Sequence, residues 1–522
     1  MARMTASGLA PYDKRWWTLL ILSTSLLVIS LDNTILNVAL PTIERELDAG
    51  SGQLQWIVDS YTLVFAGLLL TMGALGDRFS RRGALVSGLV IFGSASLASA
   101  FAESANMLIA SRALMGIGGA LIMPTTLSIL TNVFPAEERP KAIGIWAAVA
   151  GIGVGVGPAA GGFLLEQFDW TAVFLINVPI VVAALAAAPK LVPDSRDPKQ
   201  PRLDPAGALL STVGLGILTA AIIEAPERGW TSGLILGGFA AAGVVLAAFV
   251  IWELRTASPM LDMRLFRIRR FSGASFSIAL VFFALFGTIY FLTQYLQGVL
   301  DYTPLQAGVR MLPVAAGLIV GGPLSAKLAG RFGTKTVVAT GLTVVAAALF
   351  LLTGAETDSG YGLVATSLVL LGLGMGATMA PATESIMSSV PQGNAGVGSA
   401  MNDTVRLVGG TLGVAILGSL LSSGYGADME PAVKSLPQPA ADAATDSLGH
   451  ASVVADQIGG SAGQALSNAA ETAFTTAMST SLTVAAAAAL AGAVLALVVL
   501  PGRSRERVEK RTVAIEPEPV HA

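Results

Sequence analysis

Residues 142–165 read AIGIWAAVAGIGVGVGPAAGGFLL. Within this apolar run stand Gly144, Gly153, Gly157-Pro158 and Gly161-Gly162, with Gly151 and Gly155 between them. In water such a helix would be crippled, because an interior Gly costs about 1 kcal/mol relative to Ala and Pro about 3 kcal/mol. In a bilayer the same residues are tolerated. Small side chains let helix backbones approach closely, and neighbouring helices re-satisfy the freed carbonyls. Gly153, Gly157 and Gly161 recur every fourth residue and line one helix face. The run reads as a membrane-spanning helix with a small-residue packing seam.

Composition extends that reading to the whole chain. Only 12% of the 522 residues are charged, about half the usual share in a soluble domain, and the mean hydropathy is +0.69. Apolar stretches of bilayer-crossing length recur from end to end. The first of them is too long for a signal-peptide core, carries Asp32 and has no small-residue cleavage site after it, so it reads as a retained span. The chain has no cysteine, which excludes disulfides and thiolate metal sites. A net charge of −3 implies no polyanionic partner, and no nucleic-acid role is expected.

Fourteen spans are predicted, at 16–40, 53–76, 84–101, 107–133, 141–165, 172–190, 206–226, 232–252, 271–298, 304–329, 335–354, 361–385, 398–424 and 477–500. An even number puts both termini on one side, and the positive charges choose the cytoplasmic side. Of the 31 Lys and Arg residues, the loops then predicted outside hold Arg45, Arg228 and Lys434, while Arg112, Arg310 and Arg406 lie within spans. All the others fall inside or at the adjoining span ends.

An internal repeat sets the domain plan. Leu75-Gly76-Asp77-Arg78-Phe79-Ser80-Arg81-Arg82 follows span 2, and Leu328-Ala329-Gly330-Arg331-Phe332-Gly333-Thr334-Lys335 follows span 10. The two correspond if two six-span bundles flank an inserted pair. The expected divisions are a first bundle at 1–190, a linker with two inserted spans at 191–270, a second bundle at 271–501 and a cytoplasmic tail at 502–522. The long outer loop 425–476, rich in Ala, Ser and Gly, reads as flexible turns with short amphipathic helices. It is either a solvated connector or a lid.

Ionisable residues within spans are costly and mark functional sites by default. Asp32 in span 1, Asp59 in span 2 and Arg112 in span 4 fall at similar depth. A desolvated carboxylate holds a proton and releases it when hydrated or placed beside Arg. The bland alternative is a fixed ion pair between Arg112 and one of the aspartates. His450 and His521 are the only histidines and lie outside the spans, so proton coupling would run on carboxylates. In the second bundle, Glu384 ends span 12. Asp403 and Arg406 open span 13 one turn apart, where they can pair. Span 9 carries Phe283, Phe286, Tyr290 and Gln294 on one face, either packing or a wall for flat apolar ligands. The segment nearest to a phosphate loop, Gly330 to Thr336, lacks the Gly-Lys-Ser/Thr ending, so no ATP-driven pump, metal or cofactor is expected.

Several motifs together resemble one family. Gly73 to Arg78 with Arg81-Arg82 is similar to the signature cytoplasmic loop of the major facilitator superfamily, with Ser80 where a glycine is usual. Arg112-Ala113-Leu114-Met115-Gly116 matches its span-4 motif apart from Met115. Leu31 to Pro41, Trp56-Ile57-Val58-Asp59 and Phe174 to Pro179 resemble the fourteen-span drug:proton antiporters of the EmrB/QacA subfamily. The Gly-Pro run is similar to their antiporter helix. The resemblance implies an all-α polytopic major facilitator fold in a bacterial plasma membrane. It implies a non-enzymatic, monomeric exporter that exchanges protons for amphipathic, cationic drugs by alternating access. Asp32, Asp59 and Arg112 would couple protons. Asp59, with the span-9 face, would meet substrate. Asp77, Arg78, Arg81, Arg82, Gly153, Gly157, Pro158, Gly161, Glu384, Asp403 and Arg406 would serve gating. A dedicated exporter of one endogenous antibiotic, lipid or siderophore is the second reading, and a non-transporting membrane sensor or accessory protein the third.

Overall fold

The computed structural model describes residues 13–196 and 204–502, apart from 48, 50, 258, 260, 392 and 393. The chain alternates long apolar helices with short turns. The first bundle holds α1 (Arg15–Leu47), α2 (Ser51–Arg78), α3 (Arg81–Ala100), α4 (Ala105–Val133), α5 (Arg139–Gln167) and the pair α6 (Ala172–Leu175) and α7 (Asn177–Leu191). Then come α8 (Pro205–Arg228) and α9 (Gly233–Arg255). The second bundle runs through α10 (Arg269–Gln294), α11 (Pro304–Arg310), α12 (Leu312–Phe332), α13 (Thr334–Leu352) and α14 (Tyr361–Ser388). It ends with α15 (Ala395–Val433), α16 (Gln438–Asp446), α17 (Leu448–Ile458) and α18 (Gly460–Val499).

Among the described residues, 13 helical segments are long and apolar enough to cross a membrane. The glycine-rich α5 is not among them, although it runs for 29 residues; some of its side chains, Pro158 included, lie outside those described. Two expected spans are interrupted. The sixth breaks at Ile176 between α6 and α7, and the tenth breaks at Met311, where Pro313 opens α12.

The largest departure from expectation is the outer loop. The expected short helices are present as α16 and α17, but in place of flexible turns α15 continues to Val433 and α18 begins at Gly460. At 39 residues, α15 is about 58 Å long at 1.5 Å per residue, well beyond the roughly 30 Å of a hydrocarbon core. The extension is tied down. Tyr425 donates to the Ala444 carbonyl at 3.0 Å, and Leu448 packs over Gly298 beyond the end of α10.

The bundles touch at the face where α1 begins, termed here the near face, and also toward the far end of α5, where a Cβ at Gly162 would lie 3.2 Å from Leu305 Cα. A Cβ at Gly73 of α2 would lie 2.6 Å from the Gly396 carbonyl oxygen of α15, and one at Gly322 of α12 would lie 2.8 Å from that of Gly144 on α5. Only glycine permits such backbone contact. The inserted helices lie against both bundles. Thr212 of α8 meets Thr71 of α2 at 3.2 Å, and Trp230, between α8 and α9, donates to Ser419 of α15 at 2.9 Å.

Candidate functional site

Asp32 and Arg112 come together from α1 and α4. Their side chains are 2% and 1% exposed, and Arg112 Nη1 donates to Asp32 Oδ2 at 2.5 Å. The guanidinium is held from two further directions by α2. Its Nε donates to the Ile57 carbonyl at 3.2 Å, and it lies 4.5 Å from the centroid of the Tyr61 ring. Asp32 Oδ1 accepts from Asn177 Nδ2 at 3.0 Å, and the same nitrogen donates to Ser96 Oγ at 3.1 Å. A buried charge is tolerated only when paired and hydrogen-bonded, and five helices deliver those partners here.

The glycine seam lies directly behind this acid. A Cβ at Gly153 would stand 2.5 Å from Ser30 Cβ, one at Gly157 would fall on Thr34 Oγ1, and one at Gly161 would stand 3.2 Å from the Ile35 carbonyl oxygen. Thus α5 and α1 touch along the turns that flank Asp32. Gly151 and Gly162 of α5 face the second bundle, against Leu318 and Leu305.

At the near face Asp77 spans the bundles. Its Oδ2 accepts from the backbone N–H groups of Gly396 at 2.6 Å and Val397 at 3.2 Å. These are unpaired donors of the first turn of α15, where the helix dipole also favours an anion. Its Oδ1 accepts from Arg81 Nε at 2.7 Å and Ser128 Oγ at 3.3 Å. Arg82 reaches the carbonyls of Pro189 and Val192 at 3.5 and 3.4 Å, and Arg78 lies 5.5 Å from the Phe79 ring. Ser80 replaces the usual glycine without strain. Its φ is −169°, ordinary extended backbone, and its hydroxyl caps α3 by accepting from Gly83 N. In the second copy of the motif Gly333 adopts a φ of +87°, which L side chains avoid.

A second buried pair belongs to α15. Arg406 Nη1 stands 3.7 Å from Asp403 Oδ1, and Arg406 Nη2 donates to Thr383 Oγ1 of α14 at 3.1 Å. Its guanidinium lies 4.9 Å from the Trp146 ring of α5 and 5.5 Å from the Phe282 ring of α10. Asn402 donates to Asp403 Oδ1 at 3.1 Å, whereas Asp403 Oδ2 and Arg406 Nε have no hydrogen-bond partner among the described residues. Glu384 follows Thr383 and is half-buried.

The aromatic face of α10 lies on the small residues of α15. Phe283 contributes its backbone opposite Gly413, while the Phe286 ring faces Gly410 and the Tyr290 ring faces Gly418. Phe282 stacks on Phe286, joining this face to the Arg406 cluster. Gln294 donates to the Tyr290 carbonyl at 3.4 Å. Asp59 lies on α2, but its side chain is outside those described. Asn177, Tyr61, Trp146 and Phe282 were not singled out as site residues from sequence. Only Asn177 carried a signal, its place in the Phe174–Pro179 motif.

The chain matches the Major Facilitator Superfamily over residues 22–414. It is 37% identical over 456 residues to the multidrug efflux pump LfrA of Mycolicibacterium smegmatis, covering 87% of this chain and 90% of that protein. It is 36% identical over 427 residues to the tetracenomycin C resistance and export protein of Streptomyces glaucescens, covering 82% and 79%. Among solved structures it resembles the human organic anion transporter MFSD10, with a TM-score of 0.61 at 14% identity over 92% of this chain and 99% of that one. The chain therefore belongs to the major facilitator superfamily.

Proposed function

We propose that the chain is a proton-coupled multidrug exporter that extrudes amphipathic, cationic compounds across a bacterial plasma membrane. The observation that carries this reading is the Asp32–Arg112 pair, a carboxylate and a guanidinium held in an apolar interior where neither helps α1 or α4 to form. Such a pair is retained for chemistry rather than stability, because well-packed apolar residues serve a core as well or better. Its relatives are named for multidrug efflux and for export of an antibiotic.

In this reading α5 is the fourteenth crossing, both termini are cytoplasmic, the near face is the cytoplasmic one, and the chain works as a monomer. With Asp77 latched on α15 the near face is closed. Asp32 takes up a proton when the other face is open, and loss of the Arg112 contact accompanies that step. Rocking of the bundles breaks the Asp77 bonds and opens the near face. There the proton leaves to water as Arg112 re-pairs with the carboxylate, and substrate enters. Asp59 compensates the ligand's positive charge, and the α10 aromatics supply flat apolar contact. The α1–α5 glycine seam keeps the proton path sealed while the bundles move.

The test is ethidium efflux from proteoliposomes with and without an imposed pH gradient. Gradient-accelerated efflux supports the reading, and gradient-independent movement rejects it. A dedicated exporter of one antibiotic is the second reading, favoured by the relative named for tetracenomycin C alone. A panel of unrelated cations separates the two, since a dedicated exporter moves none of them.

A further inference from the structure

The guanidinium of Arg406 is shared between two bundles. Phe282, Thr383 and Asp403 belong to α10, α14 and α15 of the second bundle, whereas Trp146 belongs to α5 of the first. The Trp146 side chain is fully buried and anchored, with Nε1 donating to Thr126 Oγ1 of α4 at 3.2 Å. It therefore moves with the first bundle. Meanwhile the distance from Arg406 to Asp403, 3.7 Å, exceeds the 2.7–2.9 Å or so of a charge-assisted hydrogen bond. Asp403 Oδ2 is left without a partner among the described residues, as is Arg406 Nε. An aromatic face attracts a desolvated guanidinium, and here that attraction acts across the interface that alternating access must open.

We infer that Trp146 is a positioning residue for proton exchange at Asp403, holding Arg406 off that carboxylate while the near face is closed and releasing it when the near face opens. This rests on the proton-coupled reading above. While the near face is closed, Arg406 stays over Trp146 and the loosely paired Asp403 takes up its proton. As α5 moves away, the platform is lost and Arg406 closes on Asp403. The carboxyl O–H bond then breaks and the proton passes to water at the near face. The direction agrees with an antiporter driven by inward proton flow. Among the described residues, the charged group that faces Asp403 is Arg406 on its own helix. The groups presented by α5 and α10, Trp146 and Phe282, do not titrate.

The experiment measures proton influx, with an internal pH dye, per ethidium extruded from proteoliposomes. Wild type, Trp146→Leu, Trp146→Phe and Arg406→Lys are compared per correctly inserted protein. Trp146→Leu is expected to lower the proton-to-ethidium ratio about threefold or more and to flatten the pH profile of efflux. Trp146→Phe, which restores an aromatic face, is expected to recover the ratio to within about twofold. Arg406→Lys, which keeps charge but not a planar cation, is expected to follow Trp146→Leu, and it decides the matter where Trp146→Leu inserts poorly. A wild-type ratio and pH profile in Trp146→Leu or Arg406→Lys overturns the inference alone. A wild type that moves ethidium without protons overturns the proposed function and the inference with it.

Discussion

Arg112 and Arg406 are both buried guanidinium groups facing an aspartate, one in each bundle, yet they are held in opposite ways. In the first bundle the carboxylate is gripped at 2.5 Å, its other oxygen takes an amide hydrogen bond from Asn177, and every neighbour belongs to the same bundle. In the second the separation is 3.7 Å and the cation lies over a ring from the opposite bundle. The first site is built within one bundle, and the second takes a partner from each. In the proposed cycle the tight pair holds the charge state and the loose pair responds to which face is open.

Removing one partner of the tight pair is the most disruptive way to break this contrast. Asp32→Asn leaves Arg112 charged and uncompensated in an apolar interior, at a cost of about 3–5 kcal/mol. Gradient-driven ethidium efflux should be abolished, while the double substitution Asp32→Asn with Arg112→Met should regain most of the lost thermal stability without regaining transport. Full gradient-driven efflux by Asp32→Asn would remove this acid from the coupling mechanism.

Behind Asp32 the α1–α5 seam supplies the next effect. Gly157→Val would drive a side chain onto Thr34, an overpacking of about 1–3 kcal/mol. It should raise proton leak per inserted molecule, and Thr34→Ala in the same chain should reduce that leak by making room. Leak unchanged from wild type in inserted Gly157→Val protein would confine the seam to a folding role.

Asp403→Asn sharpens the comparison from the loose side. Its carboxylate makes one hydrogen bond to Asn402 and a 3.7 Å contact to Arg406. The stability loss should be smaller than that of Asp32→Asn, because Arg406 keeps Thr383 and the Trp146 and Phe282 rings as partners. Efflux should persist with its pH dependence flattened. A loss as large as that of Asp32→Asn, measured by thermal unfolding in detergent, would show that the two pairs are held alike.

The two pairs differed in how far they could be read from sequence. Asp32 and Arg112 announced themselves, because charge within an apolar run is costly and conspicuous. Their meeting was not legible, since nothing in local spacing says which faces of α1 and α4 converge. Asn177 was hidden for another reason: a neutral amide lacks the cost that makes a charge conspicuous. Asp403 and Arg406 were legible as a local pair one turn apart, but Trp146 reads as one more apolar residue of the glycine run. The every-fourth-residue glycines foretold a seam, and the structure supplied its partner, α1. In 425–476 the short helices α16 and α17 were legible, but the continuation of α15 and α18 into it was not, because its alanines stand among serines and glycines. Alanine is the strongest helix former, and the helices simply continue.

A third pair, at the near face, marks the bottom of the scale. Arg15 Nε donates to Glu138 Oε2 at 2.7 Å and Nη2 donates to Oε1 at 3.0 Å, but about a third of the Glu138 side chain stays in solvent. The hydrogen bond from Arg15, aided by the charges of Arg15 and Lys141, holds the Glu138 carboxyl below its ordinary range. The folded-state value is depressed, so the contribution is present above the unfolded carboxylate pKa of about 4.3. It is lost as pH falls through the lower folded value. Water and salt screen such a pair to about 0.2–1 kcal/mol. Glu138→Gln should therefore lower the unfolding midpoint at neutral pH by no more than about 4 °C, on the usual scaling of about 2–4 °C per kcal/mol. The difference from wild type should vanish in acid, and gradient-driven efflux should be unchanged. If Glu138→Gln instead matched Asp32→Asn in stability loss, burial would not be what ranks these three pairs.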